Sequence, residues 1–509
     1  MIGAWIFLRL LAVVYLVAFA SLYGQIDGLI GSDGISPYSA FLDYLRSTES
    51  ASGLASGWGR FWIAPSLLWM LPDHPLVLRG LTIFGGCAAI SLLFGRFERS
   101  SLALLWCSYL SIVSVDYTFM QFQWDHLLLE AGLLSIFLPM REQGRFQIYG
   151  LPLLLLQFLV FRLMFGSGLV KILSGDPEWH NLSALRYHYL TQPLPSLPAY
   201  YLHKLPLWFH TACTVAMFAI ELVLPFFFFG PRTLKQLAAL ATIMLQAAIF
   251  CSGNYTFFNI LTVALTLTLL DDKFFVTRLP TIDGLVRRCI VPAEGPPRVS
   301  SPWATSVLAT LFLLAAIQIV GLAVGFHALP RPFAALLESA APIRAVNSYG
   351  LFAIMTTERL EIIVETSDDF KHWQPQRFRF KPQDVTQPPT QVAPYHPRLD
   401  WQMWFASLGS LRENPWFVRF MEHLLKQTPA VTALLREPPR AGPPPKFIRA
   451  LSYRYRFSSL SEREIEPSWW KRELVGVYCP PLRLNERGSA VPVTTDDLNR
   501  LNAPEAHTS

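Results

Sequence analysis

Five ionisable side chains lie within or beside apolar stretches of this chain and are the first candidates for chemistry. They are Asp125, His126, Glu130, Arg162 and Glu221. A charge in the core of a bilayer is costly, so such residues usually pair with one another or mark a functional site. A carboxylate that faces an arginine on a neighbouring helix compensates both charges. We therefore predict an intramembrane polar cluster in which Asp125 or Glu130 faces Arg162.

This polar cluster has two interpretations, and we favour the first. As a structural clamp, it would hold membrane helices together through polar pairs. As an active or transport site, it would act on a lipid or a quinone-like substrate. Replacing Arg162 by alanine separates the two interpretations. A clamp predicts loss of folded protein, whereas a chemical site predicts normal abundance with lost activity.

Long apolar runs are the elements that must position these residues. The chain has 509 residues, of which 52% are hydrophobic and 15% charged, whereas roughly a quarter of an ordinary soluble protein is charged. A membrane-spanning helix needs about 20 apolar residues, and counting the shorter runs gives about nine candidate spans. They lie at 5–23, 76–94, 102–115, 124–138, 149–170, 207–229, 237–250, 257–270 and 303–326.

The distribution of charge divides the chain into three parts. Residues 1–328 form a predicted transmembrane helical domain with a long loop at 171–206. Residues 329–490 are rich in charge and proline and form a predicted soluble α+β domain, and residues 491–509 form a predicted disordered tail. The predicted fold class is therefore a polytopic α-helical membrane bundle followed by a soluble α+β domain.

Lysine and arginine accumulate in alternate loops, which indicates the cytoplasmic side of a membrane protein. The loops rich in these cations contain Arg96, Arg99, Arg141, Arg145, Arg232, Lys235, Lys273, Arg278, Arg287, Arg288 and Arg298. With the N-terminus in the cytoplasm, an odd number of spans places the soluble domain outside the cytoplasm. The loop at 171–206 lies on that same side.

The soluble domain alternates strand and helix signals. Apolar residues with a period of two at 360–364, 378–380 and 447–457 predict three strands. Asn414-Pro415 and Thr428-Pro429 each place a capping residue before a proline, which predicts a short helix after each pair.

The loop at 171–206 is rich in aromatic residues, histidines and prolines. Its candidates for contact with a partner are Trp179, Tyr187, His188 and Tyr189. Such a loop could bind an extended polypeptide or a lipid headgroup. An aromatic belt at the membrane interface explains the same composition at least as well. A metal site built from its histidines is the weakest alternative, because their spacing fits no zinc pattern.

Several function classes find no support in the sequence. The motifs GxSxG, Walker A and GxGxxG are absent, so we predict no catalytic residue and a chain that is not an enzyme. We also predict neither a cofactor nor a metal. The net charge of +6 is scattered over loops, which membrane topology explains and nucleic-acid binding does not.

Longer segments of the chain resemble one known family. In the membrane part they are YHYLTQPLP at 187–195 and SGNYTFFNILT at 252–262. In the soluble part they are NSYGLFAIMTTER at 347–359, APYHPRLDWQMWFASLG at 393–409 and NPWF at 414–417. Together these segments are similar, in order along nearly the whole chain, to the lipase maturation factors.

The resemblance implies a membrane-embedded folding factor whose partners are secreted lipases, or other secreted clients, and membrane lipids. Family members help dimeric lipases reach an active form, and their C-terminal domain faces the lumen of the endoplasmic reticulum. In a bacterial host the equivalent location is the plasma membrane. The alternative is an intramembrane enzyme, since the family is distantly similar to the vitamin K-dependent carboxylases. That alternative predicts an apolar cavity on which Asp125, His126, Glu130 and Arg162 converge.

A folding factor needs exposed groups that hold the apolar surface of its client. For this contact we predict Tyr349, Phe352, Arg398, Asp400, Trp401 and Trp404, beside the 187–195 loop. The alternative for Trp401 and Trp404 is the core of the domain, because aromatic residues three apart on a helix usually face inward. Asp400 has an alternative role as a helix N-cap.

Overall fold

The computed structural model describes residues 1–52, 59–142, 145–292, 297–437, 442–495 and 497. The longer helices of the membrane part are α1 (Ile2–Tyr23), α2 (Pro75–Leu93), α3 (Glu98–Val113), α4 (Gln123–Ile136), α5 (Gly150–Leu173), α6 (Leu207–Phe229), α7 (Arg232–Ser252), α8 (Phe258–Leu269) and α9 (Pro302–Val324). In the described part of the chain, six of these are long and apolar enough to cross a membrane. The exceptions are α3, α4 and α8, so the predicted count of about nine spans is not confirmed.

Shorter helices connect these elements. They are Ile26–Ile30, Tyr38–Ser52, Gly59–Ile63, Leu67–Trp69, Pro177–His180, Ala184–Thr191, Leu197–Leu202, Asp272–Arg278, Pro280–Cys289, Phe326–Ala328 and Arg331–Ala340. A small sheet joins β1 (Pro139–Glu142), β2 (Arg145–Ile148) and β3 (Val291–Pro292). The segment at 171–206, predicted as a loop, therefore contains three short helices.

Helix α1 packs against α2, α8 and α4 in the membrane part. Two glycines permit close approach to it. A Cβ atom on Gly132 of α4 would lie 2.0 Å from the hydroxyl of Tyr15, and one on Gly85 of α2 would lie 2.3 Å from the ring of Phe19. The Tyr15 hydroxyl donates to the carbonyl of Leu128 at 3.1 Å. Small residues where membrane helices touch allow this dense packing, which positions α4 and its acidic residues.

The C-terminal region contains an antiparallel sheet of the strands β4 (Arg359–Ser367), β5 (Gln374–Pro375), β6 (Phe447–Phe457), β7 (Trp470–Leu484) and β8 (Ala490–Pro492). Their order across the sheet is β5-β4-β6-β7-β8. The longer helices of this region are α10 (Arg398–Ser407) and α11 (Pro415–Leu425), and further short helices lie at Leu411–Glu413, Pro429–Thr432 and Leu460–Ile465. The coarse prediction of a membrane bundle followed by an α+β part agrees with this arrangement.

The finer predictions for this region have mixed outcomes. The strands predicted at 360–364 and 447–457 are confirmed as β4 and β6, and helices begin at Pro415 and Pro429 as predicted. The strand predicted at 378–380 is wrong, because the Phe380 backbone N–H donates to the carboxylate of Asp400 instead of to a strand, at 2.8 Å. The predicted tail begins too early, since Val491 pairs with Arg483 in the sheet. Residues 496 and 498–509 of that tail lie outside the described residues.

Helix α11 supplies much of the core of the C-terminal region. Its buried residues are Trp416, Phe417, Phe420, Met421, Leu424 and Leu425. They recur at intervals of three and four along the helix, which is the spacing of a single buried face. The aromatic ring of Phe417 packs against Tyr478 of β7, with centroids 5.1 Å apart. The helix therefore covers one face of the sheet.

Candidate functional site

A buried ion pair lies where the C-terminal region meets the membrane helices. Asp125 lies in the first turn of α4 and Arg398 begins α10. The guanidinium donates to both carboxylate oxygens, at 2.7 and 2.8 Å, and to the carbonyl of Phe119 at 2.6 Å. The Tyr109 hydroxyl donates to the same carboxylate at 2.5 Å. A two-pronged pair with further hydrogen bonds is the geometry that compensates the burial of two charges.

The pKa of Arg398 shows which effect prevails at this pair. Burial of the guanidinium acts to lower its pKa, but the adjacent Asp125 and Tyr109 outweigh burial and raise the pKa above its usual value. The guanidinium of Arg398 therefore keeps its positive charge in the interior. Beside this pair, burial and the same guanidinium lower the pKa of His396, which remains neutral.

A second buried ion pair joins α4, α5 and the segment before β4. Arg162 donates to the carboxylate of Glu130, as one of the two predicted pairings required. Its other terminal nitrogen donates to the backbone carbonyl of Asn347 at 2.6 Å. Glu130 in turn accepts from the backbone N–H of Asn347 at 3.0 Å and from the hydroxyl of Tyr349 at 2.7 Å. The pair therefore binds the C-terminal region as well as two helices.

A third contact fixes the 171–206 segment to the sheet. Arg359, at the start of β4, donates to the carbonyls of Leu190 at 2.9 Å, Gln192 at 2.5 Å and Pro193 at 2.9 Å. Its charge is compensated by Glu361 at 2.5 Å. We predicted no role for Arg359 from the sequence, although it ends the segment 347–359 that resembles the known family.

Asn254, between α7 and α8, makes a comparable contact with the C-terminal region. Its amide oxygen accepts from the backbone N–H groups of Val392 at 2.6 Å and Ala393 at 2.9 Å. Its amide nitrogen donates to the carbonyls of Leu194 and Thr390, each at 2.9 Å. One side chain thus satisfies backbone groups in two segments that have no regular partner there.

The predicted polar cluster is not one cluster. Asp125 pairs with Arg398 and Glu130 with Arg162. Glu221 pairs with Lys171 at 2.8 Å. The ring of His126 lies 3.2 Å from the side-chain oxygen of Gln121. The acidic residues thus form separate pairs, and only the Glu130–Arg162 pairing was anticipated.

Most of the residues predicted to contact a client lie in the interior. Trp179, Tyr189, Tyr349, Arg398, Asp400, Trp401 and Trp404 are buried, and Tyr187, His188 and Phe352 are partly buried. Trp404 donates its indole N–H to the carbonyl of Thr191 at 2.8 Å, and the ring of Trp401 packs on Trp124 with centroids 4.6 Å apart. Trp401 and Trp404 are therefore buried, and α4 and the 171–206 segment contribute to the surface that buries them.

Asp400 is not the N-cap that the sequence suggested. It lies inside the first turn of α10, whose N-cap position is Pro397. Its carboxylate accepts from the backbone N–H groups of Phe380 and Lys381, at 2.8 and 2.9 Å. Burial raises the pKa of Asp400 to about 6 against the opposing effect of these N–H donors. Asp400 thus holds the loop before α10.

A largely apolar cavity of about 270 Å³ lies between α5, α6, α7 and α8. Glu221 lines it from a π-helical turn, Ala219–Val223, within α6. Among the described lining residues, Glu221 is the one member of the predicted polar cluster. The enzyme alternative required Asp125, His126, Glu130 and Arg162 to converge on such a cavity, and these four lie elsewhere. Across the described ranges, no group of three or more metal-binding side chains comes together.

Comparisons with known proteins agree over nearly the whole chain. The model of the lipase maturation factor transmembrane domain matches residues 2–277, and that of the lipase maturation factor C-terminal domain matches residues 345–480. Lipase maturation factor 2 of Rattus norvegicus is 33% identical, over 94% of this chain and 83% of the relative. Lipase maturation factor 1 of Homo sapiens is 34% identical, over 94% of this chain and 88% of the relative. No solved structure matches the chain.

Proposed function

Because the chain belongs to the lipase maturation factor family, we propose that it is a membrane-embedded folding and assembly factor for secreted homodimeric lipases or other secreted proteins. The task needs no covalent chemistry. A folding factor shields apolar surface and unpaired strands of a client until its subunits pair, since these exposed groups otherwise cause aggregation. The activity we assign is therefore binding and release.

The observation that carries this proposal is an open strand edge on the C-terminal region. Strand β7 pairs with β6 along one side, and its other side pairs with β8 at Leu482–Leu484 alone among the described residues. Next to that open edge, Leu474, Val475 and Val477 have exposed fractions of 56%, 49% and 64%. An unpaired strand with exposed apolar side chains is a template for an extended polypeptide. The client segment that fits is an unpaired strand of an immature lipase.

The junction with the membrane helices supports the same role. Asp125, Glu130 and Arg162 lie in the part matched by the transmembrane model, and Arg359 and Arg398 lie in the part matched by the C-terminal model. Their buried pairs hold the sheet in one position relative to the membrane. A rigid support lowers the entropy cost of binding a flexible client.

We place the C-terminal region on the non-cytoplasmic side. It contacts Gln25 after α1, Gln123 at the start of α4 and Asn254 before α8. At the opposite end of the bundle, the amino group of Met1 bonds Asp272 at 2.5 Å. Two of the predicted cytoplasmic cations, Arg145 after α4 and Lys273 after α8, follow the other ends of these helices and support this placement. The location is then the plasma membrane in a bacterium and the endoplasmic reticulum membrane in a eukaryote.

The same alternation supports nine crossings. We propose that successive helices from α1 to α9 run in opposite directions, and the contacts of α1, α4 and α8 described above support this alternation. Helix α4 has 14 residues, which is short for a bilayer. Ten of its residues are buried by protein, namely Trp124, Asp125, Leu127, Leu128, Leu129, Glu130, Ala131, Gly132, Leu134 and Ser135. A helix shielded in this way does not need to match the lipid thickness.

A maturation assay tests the proposed function. A secreted homodimeric lipase is produced in cells with and without this chain, and its activity per molecule and its dimer fraction are measured. We expect both quantities to rise when the chain is present, because more subunits reach the paired state. Equal activity per molecule and equal dimer fraction in the two cell lines would contradict the proposal.

A further inference from the structure

The cavity between α5, α6, α7 and α8 has no part in the client edge described above. Its apolar wall includes Leu163 of α5, Ile220 of α6 and Leu245 of α7. The helix Ala184–Thr191 contributes His188 at the end near the C-terminal region, and Phe352 of that region also lines it. The membrane part and the C-terminal region therefore both contribute to the wall of the cavity.

The cavity opens sideways between α6 and α7. Ala216 of α6 and Ala248 of α7 line it and are themselves exposed. Around them, Val215 and Met244 are 51% and 72% exposed. Large apolar side chains on the outer face of membrane helices face lipid. A lipid chain therefore has a direct path from the bilayer into the cavity, past two small side chains.

His188 presents a hydrogen-bond acceptor that lacks a partner. The Tyr255 hydroxyl donates to the side-chain oxygen of Gln192 at 3.0 Å, so it accepts from Nε2–H of His188, also at 3.0 Å. The proton is therefore on Nε2, and Nδ1 is a bare acceptor. Nδ1 is buried and has no partner within the described residues. Burial and nearby Lys171 lower the pKa of His188 to about 4, so the ring is neutral.

Asn259 supplies a second acceptor of this kind. Its amide nitrogen donates to Gln246 at 2.8 Å, while its amide oxygen is buried and has no partner in the part of the chain that is described. The residue is 2% exposed and lines the cavity. Buried acceptors left without a donor are unfavourable and uncommon in folded proteins. Both His188 and Asn259 line the cavity, so these two unsatisfied acceptors favour a ligand that donates hydrogen bonds.

The remaining polar groups favour an uncharged ligand of limited size. Lys171 is compensated by Glu221 at 2.8 Å and by the carbonyl of Ser167 at 3.0 Å, so the site has no free charge to attract an anion. A protein cavity of about 150 Å³ holds one benzene-sized ligand, so the volume of about 270 Å³ holds a ligand segment of roughly twice that size. That volume fits part of one acyl chain and not two chains.

We propose that this cavity binds the single chain of an uncharged membrane lipid that has a free hydroxyl group, such as a monoacylglycerol. The hydroxyl donates to Nδ1 of His188 or to the amide oxygen of Asn259, and the chain lies against Leu163, Ile220 and Leu245. The lipid enters from the bilayer between α6 and α7. It fills a space shared by the membrane helices and the C-terminal region, so its binding stabilises their contact.

Photolabelling of the full chain in lipid nanodiscs tests this site. The probe is a monoacylglycerol with a diazirine in its acyl chain, and mass spectrometry locates the labelled peptides. We expect labels on α5 to α8, displaced by unlabelled monoacylglycerol and not by the ionised fatty acid of the same chain length. Displacement by the fatty acid at equal concentration, or labels confined to other helices, would overturn the proposal.

Two variants and a control complete the test. His188→Phe removes one acceptor and should weaken labelling by about tenfold, the change expected from one buried hydrogen bond. Ala248→Trp fills the opening and should abolish labelling. Ala247→Trp on the same exposed face does not line the cavity and should label like the parent protein. Equal labelling of all three variants would reject the site, and the displacement experiment decides it independently if a variant does not fold.

Discussion

Arg398 donates to both carboxylate oxygens of Asp125, although 273 residues separate them in the sequence. The pair joins the first turn of α4 to the first turn of α10. Because both side chains are buried, neither charge can be left alone without a large cost in stability. The C-terminal region and the membrane helices are therefore coupled in one folded unit.

Replacing Arg398 by alanine should destabilise the whole protein, because it leaves Asp125 charged and buried. We expect a loss of about 3–5 kcal/mol, the range for removing one partner of a buried pair. Thermal unfolding in detergent measures the effect. The control is Arg287→Ala, which removes an exposed pair with Asp283 and should cost less than about 1 kcal/mol. A loss of stability in Arg398→Ala that is as small as the loss in Arg287→Ala would show that the buried pair does not stabilise the fold.

Arg162→Ala should remove most folded protein, as expected for a structural clamp. Glu130 would lose its cation and become a buried, uncompensated charge. Tyr349→Phe is the matched milder change, because Glu130 would keep Arg162 and the Asn347 N–H. Yield of monodisperse protein in detergent measures both. If Arg162→Ala accumulates like the parent protein but does not support lipase maturation, the clamp interpretation is wrong.

Asp400 should make stability depend on pH in a defined direction. Its carboxyl has a pKa of about 6 in the folded state, above the usual 3.8. Between these values the folded state holds a proton that the unfolded state has released, so the contribution is favourable below pH about 4 and is lost as pH rises through about 6. The shift corresponds to about 3 kcal/mol, at about 1.4 kcal/mol per pKa unit.

Asp400→Asn isolates this contribution, because an amide oxygen can still accept from Phe380 and Lys381 but does not titrate. Unfolding curves between pH 4 and 7 are compared for the variant and the parent protein. We expect the variant to gain stability relative to the parent as pH rises. Parallel curves for the two proteins would rule out a raised pKa at Asp400.

Two cysteines report on orientation, because they lie at opposite ends of the membrane part. Cys251 is close to the C-terminal region, whose Gln391 donates to the carbonyl of neighbouring Phe250 at 3.1 Å. Cys289 ends the helix Pro280–Cys289 at the cation-rich end, and both thiols are free and exposed. In single-cysteine variants in the plasma membrane of intact cells, an impermeant maleimide should label Cys251. Cys289 should react only after permeabilisation, and the reverse pattern would contradict the orientation.

The membrane helices could be predicted from sequence because each long apolar run is a local signal. The Glu130–Arg162 pair could be proposed because both residues lie in neighbouring apolar runs. The partner of Asp125 could not, since Arg398 lies in a polar segment whose position depends on tertiary packing. Trp401 and Trp404 were predicted to contact a client, with burial only as the alternative, for the same reason: the surface that buries them belongs to another part of the chain.

Strand β7 was missed for a different reason. Its sequence contains Gly476, Pro480 and Pro481, which interrupt the alternation that identifies a strand. Its middle residues are exposed, so the burial pattern also lacks a period of two. The structure reveals it through its pairing with β6, which the sequence alone does not specify. The proposed client edge is thus a feature of the fold that local patterns did not predict.

The most direct measurement of the central claim is the activity per molecule of a secreted lipase in cells that produce edge variants of this chain. Leu474→Lys with Val477→Lys places charges beside the open edge of β7. Ile465→Lys is the control, because Ile465 is 88% exposed on a neighbouring helix. We predict that the edge variant folds but leaves lipase activity at the level of cells without the chain, while the control retains full function. Full lipase maturation by a folded edge variant would contradict the account.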